Sequence, residues 1–366
     1  MTRETEAVRS KQNNFTIIRF IATIFVFAGH MGKILGEEAP RLGSFSLHEL
    51  GVCTLFLISG YLITMSWQAD MNPLRYAIRR FFRLWPPFAA MIFIMVYVAG
   101  PLLSNLGAQG YFESWYKAYL QNLRLFIVYA QPGVFEDVPL SQTTNGSLWT
   151  MPVEAVLYII TPLLLTVLRI RHRSRKSFGL MAFLTGSVCG IDLLLRVFYP
   201  EARVVFYGTE LISSYHLVVW YIIGMFYTYD EVRKYLNIQL AGVAVLLLLI
   251  FQFSADGLQF LLMYIALPYF VFSFAYAEKP LFCNFGRRME LSYGIYLYGF
   301  FFQQLIVSLE IKYGVSYGYM LTFLFSVLPT LVAAILSYYL VEVPALRFGR
   351  FLLRKVNHPT ERQIIS

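Results

Sequence analysis

The stretch Phe15-Thr16-Ile17-Ile18-Arg19-Phe20-Ile21-Ala22-Thr23-Ile24-Phe25-Val26-Phe27-Ala28-Gly29-His30 decides the fold. Its only ionisable members are Arg19 and His30, 11 positions apart in an otherwise apolar run. At about 3.6 residues per turn this is close to three whole turns, so both side chains project from one helix face, roughly 16 Å apart along the axis. A charged group inside a membrane span costs about 2.5–3.5 kcal/mol on insertion scales. Such a group is kept where it faces a partner, a cavity or a substrate. The helix therefore reads as one wall of a polar reaction path.

The rest of the chain supports a membrane setting. Of 366 residues, 58% are hydrophobic and 14% charged, against about 25% charged in a soluble domain. Further apolar stretches lie near 50–68, 87–104, 147–168, 178–198, 212–229, 238–254, 258–277, 291–309 and 317–341. Most reach the ~17–25 residues that cross a bilayer. The expected fold is all-α: a polytopic bundle of about ten transmembrane helices. Segment 1–14 is expected as a cytoplasmic N-terminal piece, 15–341 as the membrane domain, and 342–366 as a short basic cytoplasmic tail. The segment Tyr119–Ala130 carries Arg124 and is too short to span; it is expected at the interface or as a re-entrant piece.

Net charge is +9, and its placement is informative. Arg75, Arg79, Arg80 and Arg83 gather between spans two and three. Arg169, Arg171, Arg173, Arg175 and Lys176 follow span four. Arg233 and Lys234 follow span six, and Lys279, Arg287 and Arg288 follow span eight. Arg347, Arg350, Arg354 and Lys355 follow span ten. The alternate loops are poorer in Lys and Arg, which places both termini in the cytoplasm. A bacterial inner membrane is the natural setting. No cleavable signal peptide is visible. Cys53, Cys189 and Cys283 are too dispersed for a disulfide framework or a metal cluster, and no metal site is expected.

Four constellations carry chemistry. Among five histidines, His48, His172 and His358 read as solvated loop or tail residues, and His216 as packed or hydrogen-bonded. His30 shares its face with Arg19, and an imidazole there can take a proton from a hydroxyl and return it. Next, Asn145-Gly146-Ser147-Leu148-Trp149-Thr150-Met151-Pro152-Val153-Glu154 opens span four. Ser147, Thr150, Glu154 and Tyr158 follow helical spacing and would form one polar stripe. Glu154 could orient a histidine or pair with Arg19. Third, Arg79-Arg80-Phe81-Phe82-Arg83-Leu84-Trp85-Pro86-Pro87 puts guanidinium groups at a membrane boundary, suited to phosphate oxygens or to lipid headgroups. Its proline pair suggests a defined helix start. Fourth, Gly51 to Tyr61 places small residues, Ser59 and Gly60 among them, inside an apolar helix, for helix packing or for lining a cavity. Asp192 and Arg196 read as a local ion pair.

In their order and spacing these motifs resemble the acyltransferase-3 membrane proteins, which acylate cell-surface carbohydrates. The resemblance rests on Arg19-x10-His30, the Phe56-to-Tyr61 run, Arg80-x-x-Arg83 with Pro86, and Ser147-Leu148-Trp149 ahead of Glu154. It continues with Leu291-Ser292-Tyr293-Gly294-Ile295-Tyr296-Leu297 and closes with Ser337-Tyr338-Tyr339-Leu340-Val341-Glu342-Val343-Pro344. It implies a bundle of about ten helices that transfers an acyl group, commonly acetyl, from cytoplasmic acyl-CoA to a glycan hydroxyl. It implies His30 as the catalytic histidine, Arg19 as its partner and Glu154 as the essential glutamate. Arg80 and Arg83, with the neighbouring Arg79, would hold the CoA phosphates. Ser59, Ser147, Trp149 and Tyr293 are expected to line the substrate path. Two departures stand out. Many relatives carry His where this chain has Tyr298. Many also carry an extracytoplasmic esterase-like domain; here transfer would be completed within the membrane domain or handed to a separate protein.

The expected function is membrane O-acetylation in polysaccharide or cell-envelope modification, with acyl-CoA as donor substrate and no permanently bound cofactor. The expected partners are acyl-CoA, a carbohydrate or lipid-linked glycan acceptor and membrane lipids; nucleic acid is not expected, and a homo-oligomer is compatible. A transporter or flippase of acyl groups or glycan precursors is the alternative, because intramembrane Arg, His and Glu also line transport paths. Trp115, Tyr116 or Trp149 could stack on sugar faces or belong to an interfacial aromatic belt. Whether His30 acts as a base or carries the acyl group is open at this level.

Overall fold

Asn13 starts the first helix: its side chain accepts from Phe15 N at 3.1 Å, satisfying one of the backbone donors a helix start leaves open. Asn14, buried beside it, donates to the Phe274 carbonyl at 2.9 Å and accepts from Phe282 N at 3.0 Å. A computed structural model of the protein describes residues 13–42, 45–168, 175–251 and 256–357. The expected clusters at Arg169, Arg171 and Arg173, with His172, His358 and the ends of the chain at 1–12 and 358–366, lie outside the described residues.

The architecture is all-α. The helices are α1 (Phe15–Leu35), α2 (Leu47–Ala69), α3 (Pro73–Ile94), α4 (Gly107–Glu113), α5 (Thr150–Val167) and α6 (Arg175–Phe198). They continue with α7 (Leu211–Phe226), α8 (Ile238–Ile250), α9 (Asp256–Ala275), α10 (Ser292–Tyr313), α11 (Gly318–Ser337) and α12 (Val343–Asn357). Two-residue hairpins at Arg41–Leu42/Phe45–Ser46 and Val205–Phe206/Thr209–Glu210 are the strands among the described residues. Among the described residues eight helices are long and apolar enough to cross a bilayer. The protein is an integral membrane protein. The remaining two expected spans are helical but short, with 16 residues in α7 and 13 in α8.

The chain forms two compact units. The first draws on the chain up to Lys33, Glu37–Met65 and Pro152–Ser292; the second on Ile34–Gly36, Ser66–Met151 and the chain from Tyr293 on. In the first unit α2 and α7 cross with their backbones almost touching. A Cβ on Gly60 would lie 2.0 Å from the Tyr221 carbonyl oxygen, and one on Gly224 would lie 2.0 Å from that of Leu57. The small residues of α2 thus serve helix packing here. Thr161 and Tyr221 share a hydroxyl hydrogen bond of 2.7 Å beneath this crossing.

In the second unit the expected start of span three is corrected. The helix begins at Pro73, capped by Asn72, whose side chain accepts from Arg75 N at 3.0 Å. Pro86 and Pro87 lie inside α3. They lack the N–H groups that would bond the carbonyls of Phe82 and Arg83 one turn earlier. The arginines expected between two spans therefore ride on the first turns of the helix itself. The chain beyond the short 3-10 helix Tyr116–Arg124 is irregular, and side chains satisfy part of its backbone. Asn122 donates to the Val128 carbonyl at 2.9 Å, and Gln304 donates to those of Leu140 at 2.8 Å and Thr143 at 2.9 Å. Non-helical backbone survives in a membrane protein only where it finds such partners.

Candidate functional site

The first unit holds Arg19, His30 and Glu154. Arg19 and His30 both sit on α1, as their spacing requires. Arg19 has no acidic neighbour on its own helix; Glu290, just ahead of α10, supplies one, with Oε2 3.2 Å from Arg19 Nη2. His30 lies against a residue the sequence reading placed in a solvated loop. His48 is the second residue of α2, and its ring centroid is 6.2 Å from that of His30, the planes inclined by 32°. Both imidazoles are half-buried. This corrects the expectation for His48: its position in the sequence carries no periodic signal, and only the crossing of α1 and α2 brings it here.

Glu154 is one turn from Tyr158, whose hydroxyl donates to its carboxylate. The polar stripe expected from Ser147 to Tyr158 is divided. Ser147 precedes the helix, and Ser147 and Thr150 belong to the second unit, whereas Glu154 and Tyr158 belong to the first. Ser147 Oγ donates to Asn145 Oδ1 at 2.7 Å, and Asn145 in turn donates to the Leu297 carbonyl at 2.7 Å. Tyr296 donates to the Ser147 carbonyl at 2.9 Å. Ser147 thus works as a joint that fixes this turn on α10. Trp149 and Ser59 are half-buried.

A second buried polar cluster in the first unit surrounds Asp192. Its carboxylate accepts from Arg196 Nε at 3.1 Å and from Tyr264 Oη, and it is bonded to His216 Nδ1. Arg196 extends to Glu49 at 3.3 Å. The expected ion pair and the hydrogen-bonded His216 are parts of one network that ends beside His48.

The arginine motif builds a cavity in the second unit. Arg75 and Arg79 clasp Asp70, with Arg75 Nη2 2.5 Å and Arg79 Nη1 2.8 Å from its oxygens. The guanidinium groups hold the Asp70 carboxyl well below the usual carboxylate range. Arg80 donates to Ser66 Oγ at 3.1 Å, and Arg83 Nη1 lies 3.8 Å from Oε2 of the buried Glu342. Tyr293 donates to the Leu84 carbonyl at 2.7 Å, bracing the same turn. The cavity is about 320 Å³ and is walled by Arg79, Arg80, Phe82 and Arg83 of α3 and by Gly349 and Arg350 of α12. Gly349 lets the helices close, since a Cβ there would sit 3.0 Å from Phe82 Cβ. Arg350 falls within the expected tail and stands on a helix that continues from the last span. Five guanidinium groups, Arg75 included, are set against the carboxylates of Asp70 and Glu342, so the site carries excess positive charge that an anion would neutralise.

A family model described as an acyltransferase domain matches residues 12–339. The chain belongs to this acyltransferase family. Among curated proteins the acyltransferase is 23% identical to "Nodulation protein 10" of Rhizobium leguminosarum bv. viciae, over 94% of this chain and 96% of that one. It is also 23% identical to the "O-acetyl transferase" of Shigella phage Sf6, over 94% of this chain and 97% of the phage protein. Identity to "O-acetyltransferase OatA" of Staphylococcus aureus is 24%, over 82% of this chain and 53% of that one, so the acyltransferase spans about half of that longer protein. No solved structure matches the chain. Among the described residues no three His, Cys, Asp or Glu side chains gather as a metal site.

Proposed function

We propose that this acyltransferase moves an acyl group, acetyl in the simplest case, from cytoplasmic acyl-CoA to a hydroxyl of a cell-surface or lipid-linked carbohydrate, in a bacterial inner membrane. The observation that carries the donor reading is the arginine cavity. The diphosphate and 3′-phosphate of CoA are the kind of anion its excess charge demands, and about 320 Å³ falls at the small end of ligand sites. In this reading Arg79, Arg80, Arg83 and Arg350 hold phosphate oxygens. The names of two relatives as O-acetyltransferases support acetyl as the group and oxygen as its destination.

His30 handles the acyl group in this proposal, and the rest of its helix face supports that role. Over the whole reaction the acceptor oxygen replaces the CoA sulfur on the acyl carbon and the hydroxyl proton ends on the CoA thiol, with His30 either taking that proton or briefly carrying the acyl group. Arg19, held by Glu290, is assigned to the path along which the thioester reaches His30, about 16 Å further along the same helix face. Glu154 is assigned to orienting or balancing a charged imidazole. Ser147 and Tyr293 contribute through the backbone they hold, and Ser59 and Trp149 are the remaining candidates for substrate contact.

The test uses the purified chain in detergent, with acetyl-CoA and a panel of glycan and lipid-linked sugar acceptors. Release of free CoA thiol and acetylated product, both lost in His30→Ala, is the expected result. Turnover that survives in His30→Ala would sink the reading. A transporter would need two compartments and would release no thiol in detergent.

A further inference from the structure

The pairing of His30 with His48 is built into the fold of the first unit. Gly29 precedes His30, and a Cβ there would lie 2.5 Å from the His48 backbone nitrogen and 2.6 Å from its Cβ. Both obstacles are fixed parts of the chain, so only glycine lets α1 and the start of α2 meet this closely. Three positions on, a Cβ at Gly32 would lie 2.7 Å from Ala39 Cα, so the return of the chain toward the hairpin is pressed on the same helix. The hairpin, with Arg41 opposite Ser46 and Leu42 opposite Phe45, delivers the chain directly into His48. On the far side Glu49 is anchored by Arg196, itself bound to the fully buried Asp192. His48 is thus fixed before, after and beneath its side chain. Its Nδ1 is buried, and no hydrogen-bond partner for it lies among the described residues. A buried polar nitrogen without a partner is costly to keep, and next to a reactive imidazole it is a ready acceptor for a substrate hydroxyl.

We propose that His48 is the general base of a two-imidazole site in which His30 carries the acyl group. The inference rests on the reading of His30 as the residue that handles the acyl group. A histidine that bears an acyl group keeps only the weakly basic lone pair of its second ring nitrogen, which lies across the ring from the acylated one, so a covalent route is served by a second base. In the first half-reaction a His30 nitrogen bonds to the thioester carbon and the carbon–sulfur bond breaks. The imidazole proton of His30 leaves with the thiolate as CoA thiol. In the second, the acceptor oxygen bonds to the acyl carbon and its proton passes to His48. The nitrogen–carbon bond breaks, and His30 recovers its proton from His48. The sum is one acyl-CoA and one alcohol consumed, one ester and one thiol formed.

The two half-reactions separate the roles. Full-length protein in lipid nanodiscs is mixed with acetyl-CoA carrying a radiolabelled acetyl group, and then chased with methyl glucoside as a neutral alcohol or with hydroxylamine, which needs no base. In His48→Ala the burst of CoA thiol should match one per protein and label should accumulate on His30. Release to methyl glucoside should fall about 100-fold or more, the scale of a lost general base, while release to hydroxylamine stays within about threefold. Added imidazole should restore part of the alcohol reaction. His48→Asn, which keeps a polar side chain of similar bulk, should behave alike and covers the case of an unfolded alanine variant. Normal alcohol transfer in either variant would overturn the proposal, as would loss of the burst in a variant that melts like the parent. Unchanged labelling in His30→Ala, or no thiol release by the parent protein, would instead sink the reading of His30 or of the donor.

Discussion

Arg83 and Glu342 tie the arginine motif of α3 to the stretch that joins α11 to α12, 3.8 Å apart, with the carboxylate only 2% exposed. The pair anchors Arg83, which walls the cavity. Glu342 counters part of the charge that an anion would otherwise neutralise. Structure and binding therefore pull in opposite directions at this residue.

That opposition gives the first prediction. Glu342→Gln should destabilise the protein by about 1–3 kcal/mol, less than a fully buried pair would cost because water reaches Arg83. It should leave acyl-CoA affinity unchanged or higher. Arg83→Gln should lower both. Thermal melting in detergent together with equilibrium binding of CoA separates the two effects, and a Glu342→Gln protein that binds CoA more weakly would contradict the assignment.

Arg350 should count as a full member of the anion site. Arg350→Gln is expected to raise the apparent KM for acetyl-CoA about tenfold, the equivalent of ~1.4 kcal/mol, and to flatten its dependence on salt. Dephospho-CoA, one phosphate short, should distinguish parent and variant less than CoA does. Nanodiscs with and without anionic lipid identify the competing ligand: a variant effect that vanishes in neutral lipid would assign Arg350 to headgroups.

Asp70 gives a pH signature. Its carboxyl is held below the usual range first by the Arg75 hydrogen bonds and then by Arg79. A depressed carboxylate contributes stability that is fully present above its unfolded pKa, near 4, and is lost as pH falls through the folded value. The melting difference between the parent and Asp70→Asn should therefore stay constant from neutral pH down to about 4 and shrink only below it. A difference that decays between about pH 6 and 5 would show that the clasp is absent in solution.

Much of this architecture is legible in the sequence. Each of the ten apolar stretches contains a helix among the described residues, because membrane spans must satisfy their own backbone and long apolar runs do so as helices. Contacts between residues far apart in the chain leave no such mark. The Pro86-Pro87 pair suggested a helix start, yet Asn72-Pro73 carries the cap, and membrane helices tolerate interior proline. Arg350 follows Leu346 and precedes Leu353 at helical spacing, a visible amphipathic pattern, but the apolar window ends before it. His48 has no local mark at all. Its pairing with His30 depends on Gly29, 19 positions earlier.

The α2–α7 crossing offers a test of the packing itself. Gly60→Ala would drive a methyl group into a backbone carbonyl that sits 2.0 Å from the new atom. The helices must part, at a cost of about 3 kcal/mol or more, the upper range for overpacking. Folded yield and melting temperature should fall sharply, while Ser59→Ala, on the adjacent position, should leave both nearly unchanged.

Arg19 and Glu290 set the last expectation. Their 3.2 Å contact joins α1 to the segment ahead of α10, and both side chains are partly shielded, at 26% and 18% exposure. A double-mutant cycle with Arg19→Gln and Glu290→Gln should give a coupling of about 1–2 kcal/mol in stability, above the ~0.2–1 kcal/mol of exposed pairs. Activity should divide differently. If Arg19 aligns the donor for the reaction at His30, Arg19→Gln lowers kcat with little change in KM. Glu290→Gln, which leaves the guanidinium in place but less firmly held, should lower kcat by a smaller factor, and the double variant should match Arg19→Gln. Additive losses in kcat would mean that Glu290 acts on the reaction by a route that does not run through Arg19.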